Sequence, residues 1–141
     1  MLVEAAIADE PGMALSRIDL DRPGPHYTVD ALRLLRAHHS KAEWVLLIGG
    51  DSLRDLPTWH RPDELIRLCR LGVLRRPEVE IDLTALEAII PGVTAVVDFI
   101  AAPTVSISSR DLRARAAAGQ SLEGLVPQAV AEIVASRHLY G

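Results

Sequence analysis

The amino-acid sequence predicts an α/β fold with a mainly parallel sheet, and three observations carry that expectation. Trp44-Val45-Leu46-Leu47-Ile48 is an apolar run that does not alternate, so it reads as a central parallel strand buried on both faces. Strand and helix signals alternate along the rest of the chain, the pattern of crossover units. The apolar run ends in Gly49-Gly50-Asp51, which sets a carboxylate at the carboxyl edge of the sheet. Open α/β sheets bind nucleotides at that edge, where an acidic side chain can accept from a ribose hydroxyl.

The elements are expected in the following order. Leu2 to Ala8 is an apolar helical fragment that stops at the breaker cluster Asp9-Glu10-Pro11-Gly12. Ala14 to Leu20 alternates as a strand. Thr28 caps a helix to about His38, with Val29, Leu32 and Leu35 on one face and Asp30 favoured by the dipole. After strand 44–48 come a short helix following Asp51 and a helix near Pro62 to Cys69, where Pro62 occupies a tolerated first-turn position. Gly72-Val73-Leu74 reads as a strand, Leu83 to Ile90 as a helix and Val96 to Ile100 as a strand. Ser109 to Ala118 forms a helix stopped by Gly119, and Pro127 opens a last helix to about His138. No repeat, low-complexity tract or linker interrupts this order, so residues 1–141 are expected to form one domain.

Composition limits the function classes. Of 141 residues, 49% are hydrophobic and 24% charged, enough for one core and too few for two. A net charge of −4 argues against coating nucleic acid, which needs a basic face. The single cysteine, Cys69, excludes an internal disulfide and reads as a buried small hydrophobe. No apolar run approaches the roughly 18 residues that span a bilayer. Met1-Leu2-Val3-Glu4 lacks a basic secretory n-region, so a cytoplasmic location is expected.

A second chemistry-bearing stretch is Ile107-Ser108-Ser109-Arg110-Asp111-Leu112-Arg113. Two serines open a helix and Arg113 follows one turn in, so free N–H groups, hydroxyls and a guanidinium converge as a phosphate requires. A helix cap is the plainer role for Ser108 and Ser109, and a solvated cation the plainer role for Arg113. Trp59 follows Pro57-Thr58 in a loop and either stacks on a flat ring or covers the core. Asp51 can cap the short helix and bind ribose at once, and Gly49 admits close backbone approach. Arg76, leaving a strand end in Arg75-Arg76-Pro77, is a weaker phosphate candidate. No His, Cys or carboxylate spacing suits a protein-built metal site, and neither a P-loop nor G-x-G-x-x-G is present.

Both stretches, and their order, resemble the bacterial nicotinate-nucleotide adenylyltransferases of NAD synthesis. The likeness continues in Ser16-Arg17-Ile18, Arg22-Pro23-Gly24-Pro25-His26-Tyr27-Thr28-Val29-Asp30-Ala31-Leu32, Arg75-Arg76-Pro77, Leu125-Val126-Pro127 and His138-Leu139-Tyr140. It implies a Rossmann-like nucleotidylyltransferase fold and adenylyl transfer from ATP to nicotinate mononucleotide, giving deamido-NAD and pyrophosphate. By the same resemblance Trp59 stacks on the nicotinate ring, while Thr28 and the N–H of His60 hold the pyridine carboxylate. Gly49, Asp51, Ser108, Ser109 and Arg113 fall to ATP, and Mg²⁺ arrives on the nucleotide. The family usually has Thr after the serine pair. Arg110 keeps the backbone donor there and loses the hydroxyl, and its charge either substitutes or obstructs.

Family members begin with a strand–loop–helix bearing G-x-F-(D/N)-P-x-H-x-G-H, whose histidines hold the ATP phosphates. His26, His38, His39, His60 and His138 include no H-x-G-H, so no catalytic residue is assigned. By the resemblance Met1 falls inside a connecting helix, which here has neither an N-cap nor a preceding strand. An N-terminally truncated domain with impaired activity is expected, through a misplaced start, a truncated gene, a natural loss or a complementing partner chain. Two other readings stand beside it. One is another adenylyltransferase of the superfamily, such as the pantetheine-phosphate type, against which the Pro57-Thr58-Trp59-His60 segment argues. The other is a non-catalytic nucleotide-binding or assembly module, which fits the missing histidines. The expected partners are ATP and nicotinate mononucleotide rather than nucleic acid or membrane, and a homo-oligomer is left open.

Overall fold

A computed structural model describes residues 1–75, 79–103 and 107–141. Its elements run α1 (Leu2–Ile7), α2 (Thr28–His38), β1 (Val45–Gly49), α3 (Gly50–Arg54), α4 (Pro62–Leu68) and β2 (Arg70–Leu74). Then come α5 (Leu83–Ile89), α6 (Val93–Val96), β3 (Val97–Ile100), α7 (Ser109–Ala117) and α8 (Gln128–Ser136), with a 3-10 turn over Leu56–Thr58. They fall into two compact units, Met1–Ser16 with Val105–Gly141, and Arg17–Thr104.

The Arg17–Thr104 unit holds the sheet. β1, β2 and β3 are parallel and lie in that order, so the expected class is found. The register sets Leu46 and Ile48 beside Leu71 and Val73, and these beside Val97 and Phe99. That face meets the core, where Leu71 and Val73 are joined by Val29 and Leu32 of α2, Leu53, Leu56, Leu65, Ile90 and Val93. β2 takes the middle position. Gly72 suits it because a Cβ there would stand 2.7 Å from Leu47 and 2.8 Å from Ile100.

β1 departs from the sequence expectation. Among the described residues it is an edge strand rather than a central one, and Val45 and Leu47 are 51% and 63% exposed. Its apolar residues point to both faces, but only the Leu46 and Ile48 side is covered. Lack of alternation therefore reported composition, not two-sided burial.

Ala14 to Leu20 does not form a strand. The Arg17 carbonyl accepts from the N–H groups of Leu20 and Asp21, which closes a turn. The Arg17 and Arg22 side chains then pair with Asp21 and Asp19. Leu20 of this segment is 73% exposed. Local turn bonds win.

Helix starts also differ in detail. Tyr27, not Thr28, is the N-cap of α2, with extended dihedrals and no side-chain cap, and Thr28 is the first helical residue. α2 is tied to α4 by Arg33, whose guanidinium donates to both Glu64 carboxylate oxygens and to Asp30. Arg36 adds a 2.7 Å bond to the Leu68 carbonyl. Cys69 is buried, as expected, and burial pushes its thiol up.

The single-turn helix α6 carries no sequence signal of its own. Gly92 enters it at φ +93, a conformation that side chains disfavour. Glu87 closes the turn by accepting from the Gly92 and Thr94 N–H groups at 2.6 and 2.9 Å and from the Thr94 hydroxyl at 2.6 Å. Those bonds, the Thr94 hydroxyl first, hold its carboxyl below the usual carboxylate range. A depressed carboxyl contributes stability above its unfolded value and loses it as pH falls through the folded one. Glu87→Gln should therefore flatten the decline in stability below about pH 4.5. Urea midpoints at neutral and acid pH measure this, and an unchanged decline would remove Glu87 from the acid response.

In the other unit α1 packs on α8, and Leu122 and Val134 are buried. α7 ends at Gly119 with φ +68, as expected, and Pro127 is the N-cap of α8. No helix among the described residues is long and apolar enough to cross a membrane.

Candidate functional site

The pyridine-side candidates all lie in the Arg17–Thr104 unit. Trp59 ends the 3-10 turn, donating its N–H to the Leu56 carbonyl at 3.0 Å, and packs partly against the core. Its plainer role as core cover is thus realised, with one part of the indole left exposed. His60 follows, and among the described residues its N–H has no hydrogen-bond partner. Arg61 then adopts φ +52, a left-handed conformation uncommon for a residue with a side chain, just before Pro62. His60 is held between two fixed backbone turns.

Thr28 comes close through an aromatic contact. The Tyr27 ring stacks on the His60 imidazole, with centroids 4.0 Å apart and planes at 22°. The stack ties the start of α2 to the Trp59-His60 segment, and the Thr28 and Val29 N–H groups and the Thr28 hydroxyl have no partner among the described residues. An unsatisfied helix start next to a free N–H favours an anion. Sequence reading missed Tyr27 as more than a helix start, because no spacing rule links positions 27 and 60.

The strand-edge candidates come next. Gly50 is buried, and a Cβ there would meet Val79 and Ile81 at 3.4 Å. Gly49 faces open space, with nothing within 4 Å of an added Cβ. The first glycine admits an approaching group and the second closes the core. Asp51 does not cap α3, whose N-cap is Gly49. It pairs only loosely with Arg54, at 3.6 Å, because Asp55 takes that guanidinium at 2.9 and 3.3 Å. The Arg54 bonds hold the Asp55 carboxyl low.

In the other unit Ser108 is the N-cap of α7 and forms a capping box with Asp111. Its Oγ accepts from the Asp111 N–H at 3.1 Å and lies 2.6 Å from the Asp111 carboxylate, whose pKa these Ser108 bonds lower. The Ser108 hydroxyl is thereby occupied, while the N–H groups of Ser109 and Arg110 have no partner among the described residues. Arg113 is exposed and has no partner among the described residues. It shares a helix face with Ser109 and Arg110, four and three residues before it. Arg76 lies outside the described residues. Arg75, beside it, stacks its guanidinium 3.8 Å over the Phe99 ring. No group of three His, Cys, Asp or Glu side chains that could hold a metal occurs among the described residues.

A parallel sheet that passes from β1 through Gly49-Gly50 into α3 is a Rossmann-like α/β arrangement. The fold is similar to that of a Plasmodium falciparum nicotinic acid mononucleotide adenylyltransferase solved in complex with APC. That likeness has a TM-score of 0.71 at 17% identity and covers 95% of this chain and 70% of the other. In sequence the chain is 42% identical over 139 residues to a probable nicotinate-nucleotide adenylyltransferase of Thermomicrobium roseum. It is 36% identical to one of Herpetosiphon aurantiacus and 41% identical to one of Gloeobacter violaceus. Each match covers 99% of this chain and 65%, 70% and 68% of the respective relatives. The chain belongs to the nicotinate-nucleotide adenylyltransferase family. No protein-family profile matches it.

Proposed function

We propose that the chain serves adenylyl transfer from ATP to nicotinate mononucleotide. A phosphate oxygen of the mononucleotide attacks the α-phosphorus of ATP, the bond to the β-phosphate oxygen breaks, and deamido-NAD and pyrophosphate leave. Such transfers ask for positioning and charge stabilisation more than covalent help. The observation that carries the reading is the juxtaposition of Trp59, the free His60 N–H and the open start of α2. Trp59 stacks on the pyridine, and Thr28 and His60 take its carboxylate. Asp51 and Gly49 meet the nucleotide at the strand edge. Ser109 and Arg113, with Ser108 as the cap that sets their helix, take ATP phosphate. The divalent cation, taken as Mg²⁺, stays on phosphate oxygens, since no described cluster offers it ligands. A cytoplasmic location belongs to the same reading.

Calorimetric titration with nicotinate mononucleotide, and chromatographic detection of deamido-NAD when ATP is added, test this. Absence of saturable binding would overturn it. Arg113→Ala should weaken ATP binding about tenfold, the loss of one charge-assisted contact, and leave the mononucleotide unaffected. Arg110→Thr should weaken ATP binding if the guanidinium shares that contact and strengthen it if the arginine obstructs. No change in either variant would remove the α7 start from the site.

A further inference from the structure

We propose that Tyr27 and His60 form a stacked positioning pair that sets the acid-over-amide specificity of the pyridine site. The inference rests on the proposed nicotinate site and deepens it. The His60 side chain is exposed, yet its ring lies 4.0 Å from that of Tyr27 and nearly parallel to it. Tyr27 precedes the N–H groups of Thr28 and Val29, and His60 carries the N–H of the loop, all without a partner among the described residues. Stacking fixes the distance between these two sets of donors.

Tyr27 is itself anchored. Its carbonyl accepts from the Asp30 and Ala31 N–H groups at 3.0 and 3.2 Å, and from the Arg22 guanidinium at 3.4 Å. Arg22 also donates to the Pro25 carbonyl at 3.3 Å and pairs with Asp19 at 2.6 Å. The ring therefore stands on a fixed backbone, and His60 is the member it holds. Converging N–H groups favour a carboxylate, whereas a carboxamide would turn its own NH₂ donors toward them. Loss of the stack lets His60 drift and relaxes that discrimination, without removing any atom that touches ligand.

Binding of nicotinate mononucleotide and nicotinamide mononucleotide to the 141-residue chain tests this. Tyr27→Leu should cut the preference for the acid about tenfold, the worth of one charge-assisted bond. Tyr27→Phe should keep it. His60→Phe retains the N–H and the stack and should also keep it, while His60→Leu should not. In NMR spectra the His60 ring protons should be shifted upfield by the Tyr27 ring, and Tyr27→Leu should abolish that shift. An unchanged preference in Tyr27→Leu, or equal losses for both ligands with a lower melting temperature, would overturn the proposal. Should the unsubstituted chain bind both nucleotides alike while the His60 signals still respond to Tyr27→Leu, the nicotinate reading falls and takes the proposal with it. His60 signals that ignore Tyr27 would overturn the stack alone.

Discussion

Leu71→Ala should be the most damaging single truncation, costing about 2–5 kcal/mol of stability. Leu71 is fully buried in the middle strand, with Leu46 on one side and Val97 on the other, so the cavity cannot collapse from an edge. A domain of this kind holds only about 5–15 kcal/mol in total, so the variant stands near its limit. Leu71→Met, which conserves volume, should cost less than about 1.5 kcal/mol. Urea denaturation of both measures the difference. A loss below about 1 kcal/mol for Leu71→Ala would mean the core closes around the gap.

Trp59→Ala should weaken nicotinate mononucleotide binding by about 1–3 kcal/mol, roughly 5–150-fold, with little effect on ATP. The indole is only partly packed on the core, so its truncation removes a stacking surface along with some buried area. A lower melting temperature will accompany the change, and the ligand split separates the two contributions. Equal weakening of both substrates would leave Trp59 as a packing residue only.

Most of the frame is legible in the sequence. Apolar period, Pro at first turns and Gly at stops placed α4, α7 and the three strands among the described residues within a residue or two, because these signals act locally. Ala14 to Leu20 failed for a related reason. Alternation describes a surface, and here a turn at Arg17, closed by the Leu20 and Asp21 N–H groups, takes the backbone out of the extended form. The edge position of β1 was hidden because an apolar composition does not say what covers each face. At the site, residue types along one segment were readable, including the Ser108 cap and the Gly49 opening. What joins segments was not. The Tyr27 and His60 stack joins a helix start to a loop and the Arg33 bridge to Glu64 joins two helices, each across more than thirty residues, and no spacing in the sequence encodes that.

The register of the sheet has a consequence for how the chain finds its fold. Val45 pairs with Arg70 and Leu71 with Val97, so every strand pairing among the described residues closes a loop of about 25 residues. None of these pairings can zip up from a tight turn. Each must wait until the intervening helices have gathered, which places the chain toward the slow end of domains its size. While it waits, the apolar row at Val45 and Leu47 is open to neighbouring molecules, and in the finished structure it stays largely open. Folding yield, rather than final stability, is the property most sensitive to protein concentration.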